Sequence, residues 1–546
     1  MNKRNLNNGN GLTFFNKKFF GMLAGFTMIV LVAMMIARNA STASSGSYTF
    51  PNQATTQWSP YSEWSVQNPS YSGNPFDVEA AVSFVHSSTG ETRTTHMFYD
   101  GNDTWKFRFA GTQLGDWTFT TSSADPELNG LSGLVSVSPN PGDTGFVTNI
   151  GNKWVHSGTN EAFIPQYAMA AGPHYYFNNA AEIDAGIQTF MVDHGFTGLH
   201  VPVYCRWFDI DRAQCSPNGS TDPDLRTFQS LELLITKVHA AGGVVHLWAW
   251  ADNTDKGNPT YLPGGINGAE DLRLQRYIAA RLGPIPGWTM GYGFDLPEWA
   301  TGSQITVWHD NMQSQMGWDH YLGARGAKNR LTQMSEELDY AGYEQHKPDY
   351  DMYVTTIETR PSKPSFSEDR FRIRDEGRAK DYTMEETRQG LWRSAMAGGV
   401  ANIWGNLLGA LDANEGVVPS NPYSNPEWIK TNSLFFADRF LVDMVRCNEL
   451  SSAYCLKVPA NTHYLFYQEN TASIQMDLSG MAGALNAVAV DAKKAYAEIN
   501  LGTLSVTNQT WTAPYASDWA IAVGNFAVTE PAPTNTPAPP QPTNTP

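Results

Sequence analysis

The sequence is short of basic residues, of cysteine and of charge altogether. Lys and Arg number 36 against 53 Asp and Glu, a formal net charge of −17. That balance argues against a nucleic-acid partner, because phosphate binding needs basic patches. Four cysteines in 546 residues cannot make a disulfide scaffold, so the core must hold itself together. They also lack the C-x-x-C pairs and histidine partners of a zinc site, so no metal and no cofactor is expected. No H-E-x-x-H, G-x-S-x-G or P-loop pattern occurs either, which leaves zinc protease, serine hydrolase and nucleotide chemistry without support. What the chain does have is aromatic mass. With 17 Trp, 23 Tyr, 27 Phe and 41% hydrophobic residues it is not a mostly disordered polymer.

The N-terminus sets the compartment. Lys3, Arg4, Lys17 and Lys18 precede an uninterrupted apolar or small run over 21–37, and Ser41-Thr42-Ala43 offers a cleavage site. Residues 1–45 therefore read as a signal peptide or, left uncleaved, as a membrane anchor at the lower limit of spanning length. Either way the rest lies outside the cytoplasm, secreted or at the cell surface, and touches a membrane only if that segment is retained. Export makes disulfides plausible chemistry. Cys205 and Cys215 are ten apart and Cys447 and Cys455 eight apart, so two short-range bridges are the simplest pairing.

Three regions follow. Residues 46–141 carry short alternating stretches broken by Gly, Asn, Asp and Pro at the spacing of an immunoglobulin-like β-sandwich. Over 142–440 short apolar runs alternate with amphipathic segments such as 225–241 and 383–397, the rhythm of a (β/α)8 barrel. A doubly wound sheet is the rival, but no glycine-rich phosphate loop follows an early strand. Alternation returns over 441–528 as a second β-sandwich. The tail, 529–546, holds seven prolines among Thr, Asn, Ala and Gln and cannot build a core. The fold class is thus a multidomain TIM barrel flanked by two β-sandwich domains.

In such a barrel the reactive groups sit where strands end. The strand from Trp288 runs into Asp295 and Glu298 beside Trp299, and the strand from Lys363 into Glu368 and Asp369. Trp248 and Trp250 end another, Trp404 and Asn406 the last, and Trp207 extends the aromatic rim. Carboxylates on two strands with a wall of tryptophan are what cleavage of a sugar bond requires: one protonates the leaving oxygen, the other attacks the anomeric carbon or activates water. Indole faces stack on sugar rings, and eleven of the 17 Trp lie between Trp154 and Trp428. The plainer roles are helix capping, expected for Asp252 and Asp369, and core packing for any of the tryptophans.

Lys363-Pro364-x-x-x-Glu368 resembles the seventh-strand nucleophile motif of clan A glycoside hydrolases, retaining enzymes on this barrel. The resemblance implies a nucleophile after strand seven, Glu368, and an acid/base after strand four. Clan A places Asn before its acid/base Glu, whereas here Pro297 precedes Glu298. Asp295 lies closer to the strand end, as in apiosidase-like barrels, so the acid/base is Glu298 or Asp295. The chain also resembles exported bacterial proteins in which an apiosidase-like barrel follows a sandwich domain of unknown function. Tyr71-x-Gly73-Asn74-Pro75-Phe76, Phe98-Tyr99-Asp100-Gly101 and Gly115-Asp116-Trp117 carry that likeness. From Asp477-Leu478-Ser479-Gly480 onward the chain is similar to a small sandwich termed collagen-binding-like.

Other groups near strand ends are candidates to hold substrate or nucleophile: Arg206, His200, His246, Arg325, Tyr343 and His346. Arg370 and Arg372 could neutralise Glu368 or pair with Asp375 and Glu376. The acidic loop of Asp209, Asp211, Asp222 and Asp224 lacks the ordered spacing of an EF-hand. The reading is a secreted retaining glycoside hydrolase acting on an extracellular polysaccharide or oligosaccharide. The alternative is a carbohydrate- or matrix-binding surface protein with an inactive barrel, and a weaker third is a polysaccharide lyase.

Overall fold

The computed structural model describes residues 48–328, 337–373, 381–405 and 423–526. The export segment 1–45, Asn406 and the proline-rich tail 529–546 lie outside the described residues. So do the side chains of Arg370 and Arg372.

Eight parallel strands close a barrel. They are Gln166–Met169, Gly198–Pro202, Val244–Trp250, Trp288–Gly293, a divided fifth, Ala341–Glu344, Ser365–Ile373 and Ala401–Gly405. The fifth pairs with the fourth through Leu322–Gly323 and with the sixth through Arg325–Lys328, and the eighth returns to the first. Helices Leu225–Ala240, Ala269–Leu282, Gly302–Gln315, Tyr350–Thr359, Met384–Ala397 and Pro426–Phe436 pack outside. Their starts are written locally. Thr301 and Thr383 each form a capping box with Gln304 and Glu386, and Asp224 and Asp349 cap their own helices. The strands are buried on both faces, as parallel strands between helices and a filled interior must be. Tyr167, His246, Trp248, Tyr340 and Phe366 fill that interior. A three-stranded sheet, Val147–Ile150, Lys153–His156 and Ala162–Phe163, closes the end where strands begin, with Trp154 donating to the Ser365 carbonyl at 3.2 Å.

Ahead of the barrel lie a five-stranded and a three-stranded sheet. Trp64 and Phe107 of the smaller sheet meet Phe84 and Phe119 of the larger, with Trp64 stacked on Phe107 at 5.2 Å. This region is bolted to the barrel by charge. Arg108 bonds Glu63 at 2.8 Å and Glu232 of the helix Leu225–Ala240 at 2.8 Å, and Glu232 also takes the guanidinium of Arg281. After the barrel comes one continuous six-stranded sheet built on the long strands His463–Asp477 and Asn508–Gly524, whose register shifts after Gln468 let it bend. One face covers Trp392, Phe435 and Phe436 of the barrel helices, and Cys447 and Cys455 sit in the core of the other. Both Cys205–Cys215 and Cys447–Cys455 are disulfides.

Candidate active site

The end of the seventh strand is irregular where chemistry was expected. Ser367 pairs with Asn402 and Arg370 with the next residue, Ile403, so Glu368 and Asp369 are the surplus residues of a bulge. Bulges re-aim side chains. This one sends Glu368 into the barrel, where it is fully buried, and Asp369 toward Arg325.

Glu368 Oε1 accepts from Trp248 Nε1 at 2.8 Å and lies 3.2 Å from His246 Nε2. An ionised carboxylate only accepts, so the imidazole must carry a proton on Nε2. The Thr289 hydroxyl, 2.9 Å from Nδ1, can donate there and fix that tautomer. Oε2 makes no hydrogen bond in normal geometry, and the phenol of Tyr340 lies beside the carboxylate. Burial, then the charge of Glu368, pushes that phenol well above its ordinary pKa. Room for the carboxylate comes from glycine. A Cβ at Gly291 of the fourth strand would lie 1.7 Å from Oε1, and one at Gly342 of the sixth 3.1 Å from Oε2.

Arg325 ties the site together. Its buried guanidinium donates from Nη1 to the Glu368 carbonyl at 3.2 Å, lies 3.2 Å from Asp369 Oδ1, and reaches Asp295 Oδ1 through Nη2 at 3.0 Å. Asp295 adopts a left-handed conformation, φ 51°, at the end of the fourth strand. A non-glycine residue held there marks local constraint. Glu298, three residues on, is exposed; slight burial, then the charges of Asp295 and Asp252, raises its pKa.

Several expected contacts are corrected by burial. Trp207 donates to the Ala249 carbonyl and packs on Phe228 of a barrel helix, so neither face is open to a sugar. Trp404 donates to Gln166 and its ring lies against Gly390 and Phe371, and Tyr343 bonds Gln345 in the core shared with the outer helices. Both point outward, because successive residues of a strand face opposite sides. Trp250 is buried near Phe208, Trp299 stacks on Tyr292, and Arg206 donates to the Ile210 carbonyl. Of the aromatic rim, Trp248 touches a candidate catalytic group, donating its indole N–H to Glu368. The acidic loop is held by arginine, Arg226 on Asp209, Asp211 and Asp224, and Arg273 on Asp222. Asp252 caps a loop turn by accepting from the Asp255 N–H.

Sequence reasoning missed Tyr340, Glu344 and the linking role of Asp369. Glu344, His346 and Asp369 lie close enough to hold a metal ion. His346 Nε2 bonds Glu344 at 2.8 Å, and Arg325 lies 3.2 Å from Asp369 Oδ1. The signal for the pocket was Gly291, a glycine inside a barrel strand, which marks close approach by another group.

Comparison with known proteins bears on the fold. Residues 54–124 match a family model described as a domain of unknown function, DUF5060. No curated protein matches the chain by sequence. A crystal structure from Bacteroides vulgatus, provisionally described as a glycoside hydrolase, aligns with a TM-score of 0.67 at 14% identity over 86% of this chain and 99% of that one. A family 5 glycoside hydrolase from the same organism gives 0.52 at 14% over 70% and 94%, and a further glycoside hydrolase 0.54 at 11% over 70% and 98%. At such identities the likeness is one of fold, and the fold is a multidomain TIM barrel of the glycoside-hydrolase kind.

Proposed function

We propose that this protein is an exported retaining glycoside hydrolase in which Glu368 is the nucleophile and Asp295 the acid/base, and that 46–141, 142–440 and 441–528 are its domains. The observation that carries the reading is the fixing of Glu368: Oε1 is held by Trp248 and His246 at 2.8 and 3.2 Å, while Oε2 makes no hydrogen bond in normal geometry and has the Tyr340 phenol beside it. A carboxylate anchored through one oxygen is oriented to attack an anomeric carbon along a fixed line with the other. His246 and Trp248 would hold the ion, and the glycines at 291 and 342 make its place.

Asp295 takes the acid/base role on position. It sits at the strand end and is coupled to the Glu368 backbone through Arg325, with Oδ2 left to reach the leaving oxygen. Retention requires carboxyl groups roughly 5–5.5 Å apart. Glu298 is the competitor; its raised pKa suits an acid, but its exposure leaves it outside the anchored cluster. The two disulfides support the exported location, since such bonds persist in oxidising compartments.

The test is digestion of a glycan panel by wild type and Glu368→Gln. Products from wild type and none from the variant support the reading, whereas an equally active variant removes Glu368 from the chemistry. Full burial of Glu368 favours a second reading, a carbohydrate-binding protein with an inactive barrel; binding to a panel glycan with no cleavage by wild type would select it.

A further inference from the structure

The closed end of the barrel carries a second feature of chemical interest, independent of the proposed hydrolysis. A cleft of about 430 Å³ opens where the three-stranded closing sheet meets the helix Tyr350–Thr359 and the start of the C-terminal sheet. Its walls include Lys153, Glu358, Gly398, Asp443 and Arg446.

Lys153 is 5% exposed, and its ammonium donates to Asn152 Oδ1 at 2.9 Å with the Phe440 ring centroid 5.7 Å away. No carboxylate among the described residues pairs with it. Arg446 is committed to Glu358 at 2.6 Å and to the Ala397 carbonyl at 3.0 Å, and exposed Asp443 forms no ion pair among the described residues. An ammonium has three donors, of which one is accounted for here. A buried charge ordinarily acquires a counterion or gives up its proton. Burial, reinforced by the neighbouring charge of Arg446, does lower the Lys153 pKa, to about 8. The approach to the amine is also left open: Gly398, at φ 127°, has no side chain where a Cβ would come within 3.4 Å of Nζ.

We infer that this cleft binds a small oxyanion, a carboxylate or phosphate group, on the Lys153 ammonium with Arg446 at its rim. A sugar acid and free phosphate share this chemistry. The anion would supply the missing partner and hold Lys153 charged, so binding should take up protons between pH 7 and 9 and weaken as the free amine deprotonates.

Isothermal titration of the full chain at constant ionic strength tests this, with sodium glucuronate and inorganic phosphate as probes and glucose as the neutral control. At least one anion should bind and glucose should not. Lys153→Met should weaken that binding tenfold or more, and Arg446→Gln should weaken it less. Glu368→Gln should leave it unchanged, which separates this cleft from the barrel mouth. Glucuronate binding identifies the sugar-acid source, and phosphate binding alone identifies the free ion. Absence of binding by both, or binding that survives in folded Lys153→Met, overturns the inference. Should Lys153→Met not fold, Lys153→Gln, which keeps the hydrogen bond and removes the charge, gives the same comparison.

Discussion

Two buried arginine–carboxylate clusters sit on the same barrel and do different work. In the first, Glu232 receives Arg108 from the N-terminal sheets and Arg281 from a barrel helix, and both its oxygens are bonded. In the second, Arg325 faces Asp295 and Asp369, yet Glu368 Oε2 makes no hydrogen bond in normal geometry and Asp295 is partly exposed. A closed cluster has nothing left to offer a ligand and serves as an interdomain bolt. An incompletely satisfied one keeps reactive atoms available, which is where function is to be sought.

The largest expected effect lies in the open cluster. Glu368→Gln should lower turnover on the order of a thousandfold or more, as loss of a nucleophile does, while thermal unfolding shows the variant folded. Loss of folding without specific loss of activity would make the two clusters alike.

The closed cluster should break stability instead. Glu232→Ala removes the carboxylate that two buried guanidinium groups share, leaving Arg108 to Glu63 and Arg281 to Asp100, and should destabilise by about 3 kcal/mol, the lower end for breaking a buried pair, read by urea unfolding. Removing 46–141 should have the same or a greater effect, because it strands Glu232 and Arg281 at a surface built to be covered. The pH dependence has a defined sign. Burial alone would raise the Glu232 pKa, but Arg108 and Arg281 outweigh it and hold the group at about 2 against 4.5 for a free side chain. The folded form is therefore favoured above pH 4.5, and this contribution is lost as pH falls toward 2. Glu232→Gln should lack that part of the acid sensitivity; an unchanged acid profile would deny the cluster its structural role.

A smaller effect is expected at Gly291. A methyl there collides with Glu368 Oε1, so Gly291→Ala should cost about 1–3 kcal/mol of stability by overpacking and depress kcat with little change in KM. Smallest of all should be Glu298→Gln, which should spare most activity, whereas Asp295→Asn should impair substrates with poor leaving groups far more than those with good ones. The reverse pattern assigns the acid/base to Glu298.

The barrel was legible because strand–helix alternation and capping residues such as Thr301 and Thr383 are local signals. The place of Glu368 on the seventh strand was legible because its motif stands there. The tryptophans were not. Whether Trp404 faces a mouth or a helix depends on a twofold strand alternation that a short apolar run does not register, Trp207 lies on a tight turn, Tyr204–Trp207, beyond its strand, and both indoles turned outward. Asp369 was read as a cap because nothing local announces a bulge, and the bulge exists only through pairing with Ile403 on the last strand. Arg108 and Glu232 lie 124 residues apart, beyond any local pattern.

The central claim is that Glu368 attacks the sugar, and azide tests it most directly. On the substrate that the glycan panel identifies, Glu368→Ala should be inert alone and regain activity with azide, yielding by NMR a glycosyl azide of configuration inverted from the substrate. A variant that azide does not revive while wild type hydrolyses the same substrate with inversion would contradict the account.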